Sequence, residues 1–181
     1  MGDPAAEETA EQAVATAMIR TSKLHALVHC DFLQQRLALD DTDLDEWDAL
    51  TAVNLRGAFA FARVAQRAMT PYGSGAIVLV TSSTGTVPAL PGSEAAAATS
   101  AGTQGLTRAL ARAGGPHGIR ANAVVTGYLD TPWSQGWTDD ERDAAARATP
   151  LGRAGRPDEA ASAVVWLASN GWNAAQIPSS T

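Results

Sequence analysis

Three short apolar runs, separated by long segments of helical periodicity, constrain the fold of this chain most strongly. The runs lie at residues 24–30, 76–81 and 119–125, and the middle one, AIVLVT, is apolar on both faces. Runs of that length are typical of buried strands. Strands that alternate with helices pair in parallel through right-handed crossovers. The sequence therefore predicts an α/β, Rossmann-like fold: a three-layer parallel sheet of about three strands flanked by helices.

The segments between the runs predict helices with recognisable ends. Pro71 ends the second helix, because proline disfavours the helical conformation of the residue before it. Thr138 and Glu141 form a capping-box pattern, and Pro157 is typical of a first helical position. Residues 176–181 carry no apolar run, so no terminal strand is expected there. The predicted main helices span residues 5–20, 46–70, 94–113 and 157–170.

Composition limits the class of protein. With 181 residues, 45% of them hydrophobic and 18% charged, the chain is predicted to form one globular domain over residues 1–181. The net charge of −6 gives no excess of positive charge that would attract nucleic acid or an anionic membrane. No apolar run approaches the roughly 18 residues of a membrane helix. The acidic N-terminus and the single cysteine, Cys30, favour a cytoplasmic protein.

Lysine and tyrosine are scarce. Lys23 is the only lysine, and Tyr72 and Tyr128 are the only tyrosines. Four residues after these tyrosines stand Ala76 and Pro132, so neither begins a Tyr-x-x-x-Lys pattern. Lys23 precedes the first predicted strand and is expected at the amino end of the sheet. A mechanism that needs a Tyr–Lys pair therefore lacks suitably placed residues.

Several longer segments carry a family resemblance. The chain resembles the short-chain dehydrogenase/reductase superfamily, in its classical, ketoreductase-like branch, over roughly residues 3–170. The segments that carry the resemblance occur in order: Val53-Asn-Leu-Arg-Gly, Ile77-Val-Leu-Val-Thr-Ser-Ser, Gly118-Ile-Arg-Ala-Asn-Ala-Val, Pro150-Leu-Gly-Arg-Ala-Gly-Arg-Pro-Asp-Glu and Val164-Val-Trp-Leu-Ala-Ser.

The resemblance implies a partial fold that lacks the N-terminal dinucleotide-binding βαβαβ half. No Gly-rich fingerprint follows a predicted strand, and Gly73-x-Gly75 precedes one. The family's Asn-Asn-Ala-Gly motif reads His29-Cys-Asp-Phe32. We therefore expect no cofactor to bind the isolated chain, with Thr131 a remnant of the loop that contacts nicotinamide in the family.

The family's catalytic Asn, Ser, Tyr and Lys can be carried over by spacing. Asn54 and Ser83 occupy the asparagine and serine positions, whereas the tyrosine position is Ala96 and the lysine position is Ser100. A methyl group has no titratable proton, and a serine supplies no cation that would stabilise a phenolate. The resemblance implies that classical hydride transfer by this chain alone is lost.

Side chains near the expected strand ends are candidates for ligand binding, acid–base catalysis or metal binding. Ser83 either orients a ligand oxygen or satisfies loop backbone groups, and Asn54 is expected to be structural. His29 is either a general base near Ser83 or a loop histidine. A metal site with Cys30 and Asp31 is disfavoured, because adjacent strand residues point to opposite faces.

The loop after the third strand holds further candidates. Tyr128 and Asp130 are predicted to line an inherited substrate pocket. Trp133 and Trp137 form either a lid over a pocket or partner, or ordinary lid–core packing.

Three functions follow as hypotheses. The first is a non-catalytic or regulatory subunit that associates with an intact homologue, or with itself. The resemblance implies that helices 46–70 and 94–113 form the interface, because they correspond to the helices that build dimer interfaces in the family. An open sheet edge at the first strand favours association over a free monomer. The second is a cofactor-independent cyclase, dehydratase or isomerase of biosynthesis. The third is an oxidoreductase whose nucleotide site a partner chain completes.

Overall fold

A parallel sheet with helices on both faces forms the molecule. The computed structural model describes residues 2–34, 39–86, 92–171 and 179–180. The helices are α1 (Glu7–Thr21), α2 (Leu44–Thr51), α3 (Ala58–Met69), α4 (Glu94–Gly114), α5 (Asp139–Arg147) and α6 (Pro157–Ser169). The strands are β1 (Ala26–His29), β2 (Gly75–Ser82), β3 (Ile119–Thr126) and β4 (Ser179–Ser180). The predicted α/β fold is confirmed.

The strands lie in the order β1-β2-β3-β4, and every pair is parallel. β2 and β3 pair along their whole length, from Gly75 opposite Ile119 to Ser82 opposite Thr126. The expectation that no strand follows the last helix is wrong, because Ser179 and Ser180 pair with the end of β3. Backbone hydrogen bonds alone suffice for that pairing, so it leaves no apolar signal in the sequence.

The second predicted helix is continuous but not uniform. α2 and α3 are joined by the π-helical segment Ala52–Gly57, which widens the helix around Asn54. Thr138 and Glu141 cap α5 as the sequence predicts, and Pro157 is the first residue of α6. π-Helical turns inside helices are rare and frequently mark sites where a side chain is re-aimed.

Two apolar cores lie on the two faces of the sheet. α1, α3 and α4 cover one face, where Ile77, Leu79 and Ile119 are buried against Met69. α6 covers the other face, where Leu167 packs against Val78 and Val124. The guanidinium of Arg120 donates to the carbonyls of Leu167 (2.7 Å) and Ala168 (2.9 Å), where it opposes the negative end of the helix dipole. Burial lowers the pKa of Arg120.

β1 ends the sheet within the described residues. It pairs only with β2 there, and Val28 on its α6 side is 44% exposed. The other face of β1 is better covered, since Leu27 packs against the larger core and His29 is buried. No helix in the described part of the chain is long and apolar enough to cross a bilayer.

Candidate functional site

The carboxyl edge of β2 and β3 brings two candidate loops together. Ser82 and Thr126 are opposite each other at the ends of these strands. Ser83 therefore leaves the sheet beside Gly127, with Tyr128 one residue further on. This edge is where open parallel sheets bind ligands, and it is the candidate site.

Hydroxyl groups hold the turn that follows β2. Ser82 Oγ accepts from the Thr84 N–H (3.3 Å) and from Thr84 Oγ1 (3.1 Å). The Ser83 carbonyl accepts from the Thr86 N–H at 2.9 Å. Ser83 itself is half-buried, and its hydroxyl has no hydrogen-bond partner within the part of the chain that the structure describes. The neighbours of Ser83 therefore support the turn, whereas its own hydroxyl makes no hydrogen bond to the described residues.

Asn54 links the segment after β1 to α4. Its Oδ1 accepts from the Leu33 N–H at 2.7 Å, and its Nδ2 donates to the Leu33 carbonyl at 2.8 Å. Nδ2 also lies 3.2 Å from Thr99 Oγ1, and the Asn54 carbonyl accepts from Thr103 Oγ1 at 3.1 Å. With these bonds made, the amide fastens the chain after β1 to α4. Its role in this structure is positioning.

The two positions that the family resemblance assigns to tyrosine and lysine are sealed. Ala96 is 1% exposed and Ser100 is 0% exposed. Ser100 Oγ lies 3.5 Å from Thr84 Oγ1, so its hydroxyl faces the turn after β2. Gly85 packs so closely on this part of α4 that a Cβ there would lie 2.5 Å from the Ala101 nitrogen. Both side chains are therefore buried in this conformation.

His29 does not lie beside Ser83. It pairs with Leu79, four residues before Ser83, so about 13 Å of strand separates the two along the sheet. The imidazole packs on Phe61 with ring centroids 5.4 Å apart, and burial lowers its pKa despite the nearby Asp31 carboxylate. The hypothesis of a His29–Ser83 acid–base pair is wrong because β1 ends before β2 does.

Cys30 and Asp31 directly follow His29. Cys30 is exposed, and desolvation of its sulfur together with the Asp31 carboxylate raises the pKa of the thiol. Across the described residues, no group of three or more His, Cys, Asp or Glu side chains is placed to hold a metal ion.

Lys23 and Tyr72 meet at the opposite end of the sheet. Lys23 Nζ donates to Ser74 Oγ at 2.7 Å and lies 5.4 Å from the centroid of the Tyr72 ring. The Tyr72 hydroxyl donates to the Ser22 carbonyl at 2.9 Å. Ser74 directly precedes β2, so about 30 Å of strand separates this pair from Ser83. The predicted placement of Lys23 at the amino end is confirmed.

The loop after β3 presents an aromatic pair. Tyr128 and Trp137 stack with ring centroids 5.3 Å apart and an interplanar angle of 6°. The Arg142 guanidinium donates to the Trp137 carbonyl and, at 2.6 Å, to Asp139 Oδ1. Trp137 thus packs on Tyr128 of the same loop. The side chain of Trp133, the other predicted lid residue, lies outside the described part of the structure.

The segment before α6 fixes the start of that loop. Gly155 donates to the Tyr128 carbonyl and accepts from the Asp130 N–H, both at 2.9 Å. Glu159 accepts from Arg153 at 2.8 Å, and these contacts lower the pKa of its carboxyl to about 2. Asp130 is exposed, so its carboxylate is free of the core. The Thr131 carbonyl accepts from Ser134 Oγ at 2.9 Å.

These residues do not fit a nicotinamide nucleotide in the manner that the family resemblance implies. The lysine and tyrosine positions offer neither an ammonium nor a phenol group, and they are closed to solvent. Sequence reasoning missed Thr84 and Thr99, whose hydroxyls contact Ser100 and Asn54. The Thr99, Thr103 and Thr107 spacing along α4 was the available signal, since residues four apart share a helix face.

Comparison with known proteins gives one consistent result. The family described as enoyl-(acyl carrier protein) reductase matches residues 2–176. The cis-4-hydroxycyclohexanecarboxylate dehydrogenase of Sinomonas cyclohexanicum is 37% identical, over 90% of this chain and 67% of that protein. The (3R)-3-hydroxyacyl-CoA dehydrogenase of Homo sapiens is 36% identical over 79% of this chain and 55% of that protein. The 3-oxoacyl-[acyl-carrier-protein] reductase FabG of Thermotoga maritima is 36% identical over 70% and 51%.

Comparison with solved structures supports the same family. The structure of gox2181 superposes with a TM-score of 0.93 at 31% identity, over 98% of this chain and 71% of that one. A gluconate 5-dehydrogenase from Burkholderia cenocepacia J2315, in complex with NADP and tartrate, gives a TM-score of 0.90 at 28% identity, with the same coverage. The chain spans about half to two thirds of the length of the three relatives above. The chain belongs to the short-chain dehydrogenase/reductase superfamily.

Proposed function

We propose that this chain is a non-catalytic or regulatory subunit of the short-chain dehydrogenase/reductase type. It associates with an intact homologue or with a second copy of itself. It does not transfer hydride to or from a nicotinamide cofactor on its own. The observation that carries this proposal is the identity and burial of Ala96 and Ser100.

The chemistry of those two positions supports the proposal. Carbonyl reduction needs a proton donor at the substrate oxygen and a cation that keeps the donor acidic. Ala96 supplies no proton, and Ser100 supplies no charge. Both side chains are at most 1% exposed. The hydroxyl of Ser100 lies 3.5 Å from that of Thr84.

No other tyrosine and lysine take over these roles. Lys23 and Tyr72 lie before β2, at the far end of the sheet. Tyr128 lies at the right edge, but its ring stacks on Trp137. Proton transfer near Ser83 would have to use groups other than a tyrosine–lysine pair.

The test is a spectrophotometric assay of the full chain with NADPH or NADH and a 3-oxoacyl thioester, the substrate class suggested by the names of its relatives. We expect no substrate-dependent oxidation above the rate of the Ser83→Ala variant. Turnover that disappears in Ser83→Ala would contradict the proposal, because it would show that the inherited serine still works in catalysis.

A cofactor-independent cyclase, dehydratase or isomerase is the second candidate. The pairing of Ser82 with Thr126 favours it, because it brings Ser83 and Tyr128 to one edge beside the exposed Asp130. His29, the fourth residue of this hypothesis, lies outside that group. Single alanine variants at Ser83, His29, Tyr128 and Asp130 test it on any substrate the chain converts, and unchanged activity in all four would exclude it.

An oxidoreductase completed by a partner chain is the third candidate. The solved relatives contain more chain than this one, which covers 71% of each of the two described above. Saturable NADPH binding that appears only after an intact homologue is added, and exceeds that of the homologue alone, would favour this candidate over the first.

A further inference from the structure

The outer edge of β1 presents backbone groups that pair with no strand in the described part of the chain. The His25 carbonyl accepts from the Ala76 N–H at 3.1 Å, so His25 directs its backbone groups toward β2. Successive residues of a strand direct these groups to opposite sides. The N–H and carbonyl groups of Ala26 and Val28 therefore point away from β2, which is the only described partner of β1. An edge of this kind is a template for one more strand.

α1 extends past this edge on one face of the sheet. α4 contacts β2 and β3, α3 contacts β1 and β2, and α1 packs on α3 rather than on α4. Packed helices lie about 8–10 Å apart, and paired strands lie about 4.8 Å apart. α1 therefore lies over the position that the next strand would take beside β1. Met18 of α1 and Leu27 of β1 pack against the larger core but are only half-buried, so apolar area stays open under α1.

The space beside β1 suits a single strand better than a second copy of the chain. α6 contacts β1 on the opposite face, but Val28 there is still 44% exposed, so that side is open. A two-fold axis that relates two antiparallel edge strands would place the α3 of a second copy where α1 lies. Two copies therefore cannot pair through β1 without moving α1. A segment that brings only a strand fits under α1 without this clash.

We propose that this edge binds an extended peptide segment of a partner protein, which adds to the sheet antiparallel to β1 and beneath α1. The inference goes beyond the proposed function and does not rest on it, because strand addition requires neither hydride transfer nor its loss. A free segment needs no crossover connection, and antiparallel pairing is slightly more stable per residue than parallel pairing. In strand addition, main-chain hydrogen bonds give affinity and alternate side chains give specificity.

The charges at the two ends of the edge define the chemistry of the partner segment. His25 precedes β1 and Asp31 follows it. Both are exposed, and neither side chain has a hydrogen-bond or ion-pair partner among the described residues. An antiparallel segment opposite residues 25–31 begins beside Asp31 and ends beside His25. The segment is therefore expected to carry a basic residue first, apolar residues at its centre beside Val28 and an acidic residue last.

The backbone contacts are tested with the peptide Arg-Thr-Val-Val-Val-Thr-Asp, labelled with fluorescein and titrated with the full chain by fluorescence anisotropy. We expect saturable binding with a dissociation constant below about 1 mM. N-methylation of the central valine, opposite Val28, removes a hydrogen bond to β1 and is expected to weaken binding at least about tenfold. N-methylation of the following valine is the matched control, because its N–H points away from β1. Absence of saturable binding, or equal binding of the two methylated peptides, would overturn the proposal.

Variants of the chain test the same edge. Val28→Pro removes the outward N–H and keeps the pairing with β2, because proline is accepted where the N–H of an edge strand faces solvent. It is expected to abolish binding of the unmethylated peptide. Val28→Thr keeps the N–H and is expected to bind within about threefold of the unchanged chain. Circular dichroism verifies that both variants are folded, and equal binding by the two would overturn the proposal.

A charge exchange tests the register. Asp31→Arg is expected to weaken binding of the peptide at least about threefold, and replacing the first arginine of the peptide by aspartate is expected to restore it. Failure of this exchange to restore binding would overturn the antiparallel register. Analytical ultracentrifugation of the chain alone tests the other occupant. A dimer that Val28→Pro dissociates would overturn the proposal, because a second copy would then occupy the edge.

Discussion

Among single residues, His29 has a stability contribution that depends on pH. Its imidazole is 5% exposed, and its Nε2 has no hydrogen-bond partner among the described residues. Burial lowers its pKa more than the Asp31 carboxylate raises it. The folded chain therefore favours the neutral imidazole, because the charged form loses its hydration without gaining a partner.

The sign of the pH effect follows from this shift. The unfolded chain takes up the proton at about pH 6.5, whereas the folded chain does so only at a lower pH. Stability is full above about pH 6.5 and falls as the pH drops towards the folded-state pKa. We expect Tm, followed by circular dichroism, to decrease across that window and the decrease to be smaller in His29→Leu. The exposed His25→Asn variant is the control, and a slope that survives in His29→Leu would refute the account.

Asn54 is expected to matter for stability. Asn54→Ala removes its two bonds to the Leu33 backbone and its bond to the hydroxyl of the buried Thr99. The expected loss is about 2–3 kcal/mol in the free energy of unfolding, measured by urea denaturation. Thr99→Val removes only the hydroxyl that Asn54 contacts, so it is expected to cost less, about 1 kcal/mol. A smaller loss in Asn54→Ala than in Thr99→Val would contradict the positioning role.

Between elements, two glycines hold the amino ends of β2 and β3 together. Gly118 and Gly73 both have positive φ, +67° and +62°. A Cβ on Gly118 would collide with the Gly73 carbonyl, whereas a Cβ on Gly73 would meet nothing within 4 Å. Both turns therefore require a positive φ, but only the turn at Gly118 is crowded.

This pair gives a matched comparison. Gly73→Ala is expected to cost about 1 kcal/mol of unfolding free energy, from the backbone conformation alone. Gly118→Ala adds the collision and is expected to cost more than about 2 kcal/mol. Thermal and urea unfolding measure both. Equal losses would show that the close approach between the two turns contributes nothing.

The sequence pattern predicts elements better than it predicts where they end. The apolar run around Ile77 and Leu79 predicts β2 because both faces of a central parallel strand are buried. The first run spans residues 24–30, but β1 covers only Ala26–His29, because backbone pairing with β2 decides where a strand ends. The polar strand Ser179–Ser180 has no side-chain signal at all.

In the candidate site, too, the sequence predicts some features and not others. The family resemblance identifies Ala96, Ser100, Ser83 and Asn54, because the matching segments keep the order and spacing of the family's motifs along the chain. The Tyr128–Trp137 stack and the distance between His29 and Ser83 depend on how separate loops and strands meet in space. Local sequence carries no measure of such contacts.

The whole molecule keeps the fold of the superfamily but differs from it at two positions of the candidate site. The sheet, both cores and the superposition on solved relatives belong to an ordinary member of the superfamily. The positions that would carry proton transfer are occupied by Ala96 and Ser100 beneath a closely packed turn. The fold is kept while these two side chains differ from the family's, and this difference is the basis of the proposal that the protein acts by association.

The most direct test of this central claim is a fluorescence titration of the full chain with NADPH and with NADH. The nicotinamide emission and the quenching of the protein's tryptophans are followed together in each titration. The account predicts that neither nucleotide binds saturably to the chain alone. Saturable binding of either nucleotide, displaced by its oxidised form, would contradict it.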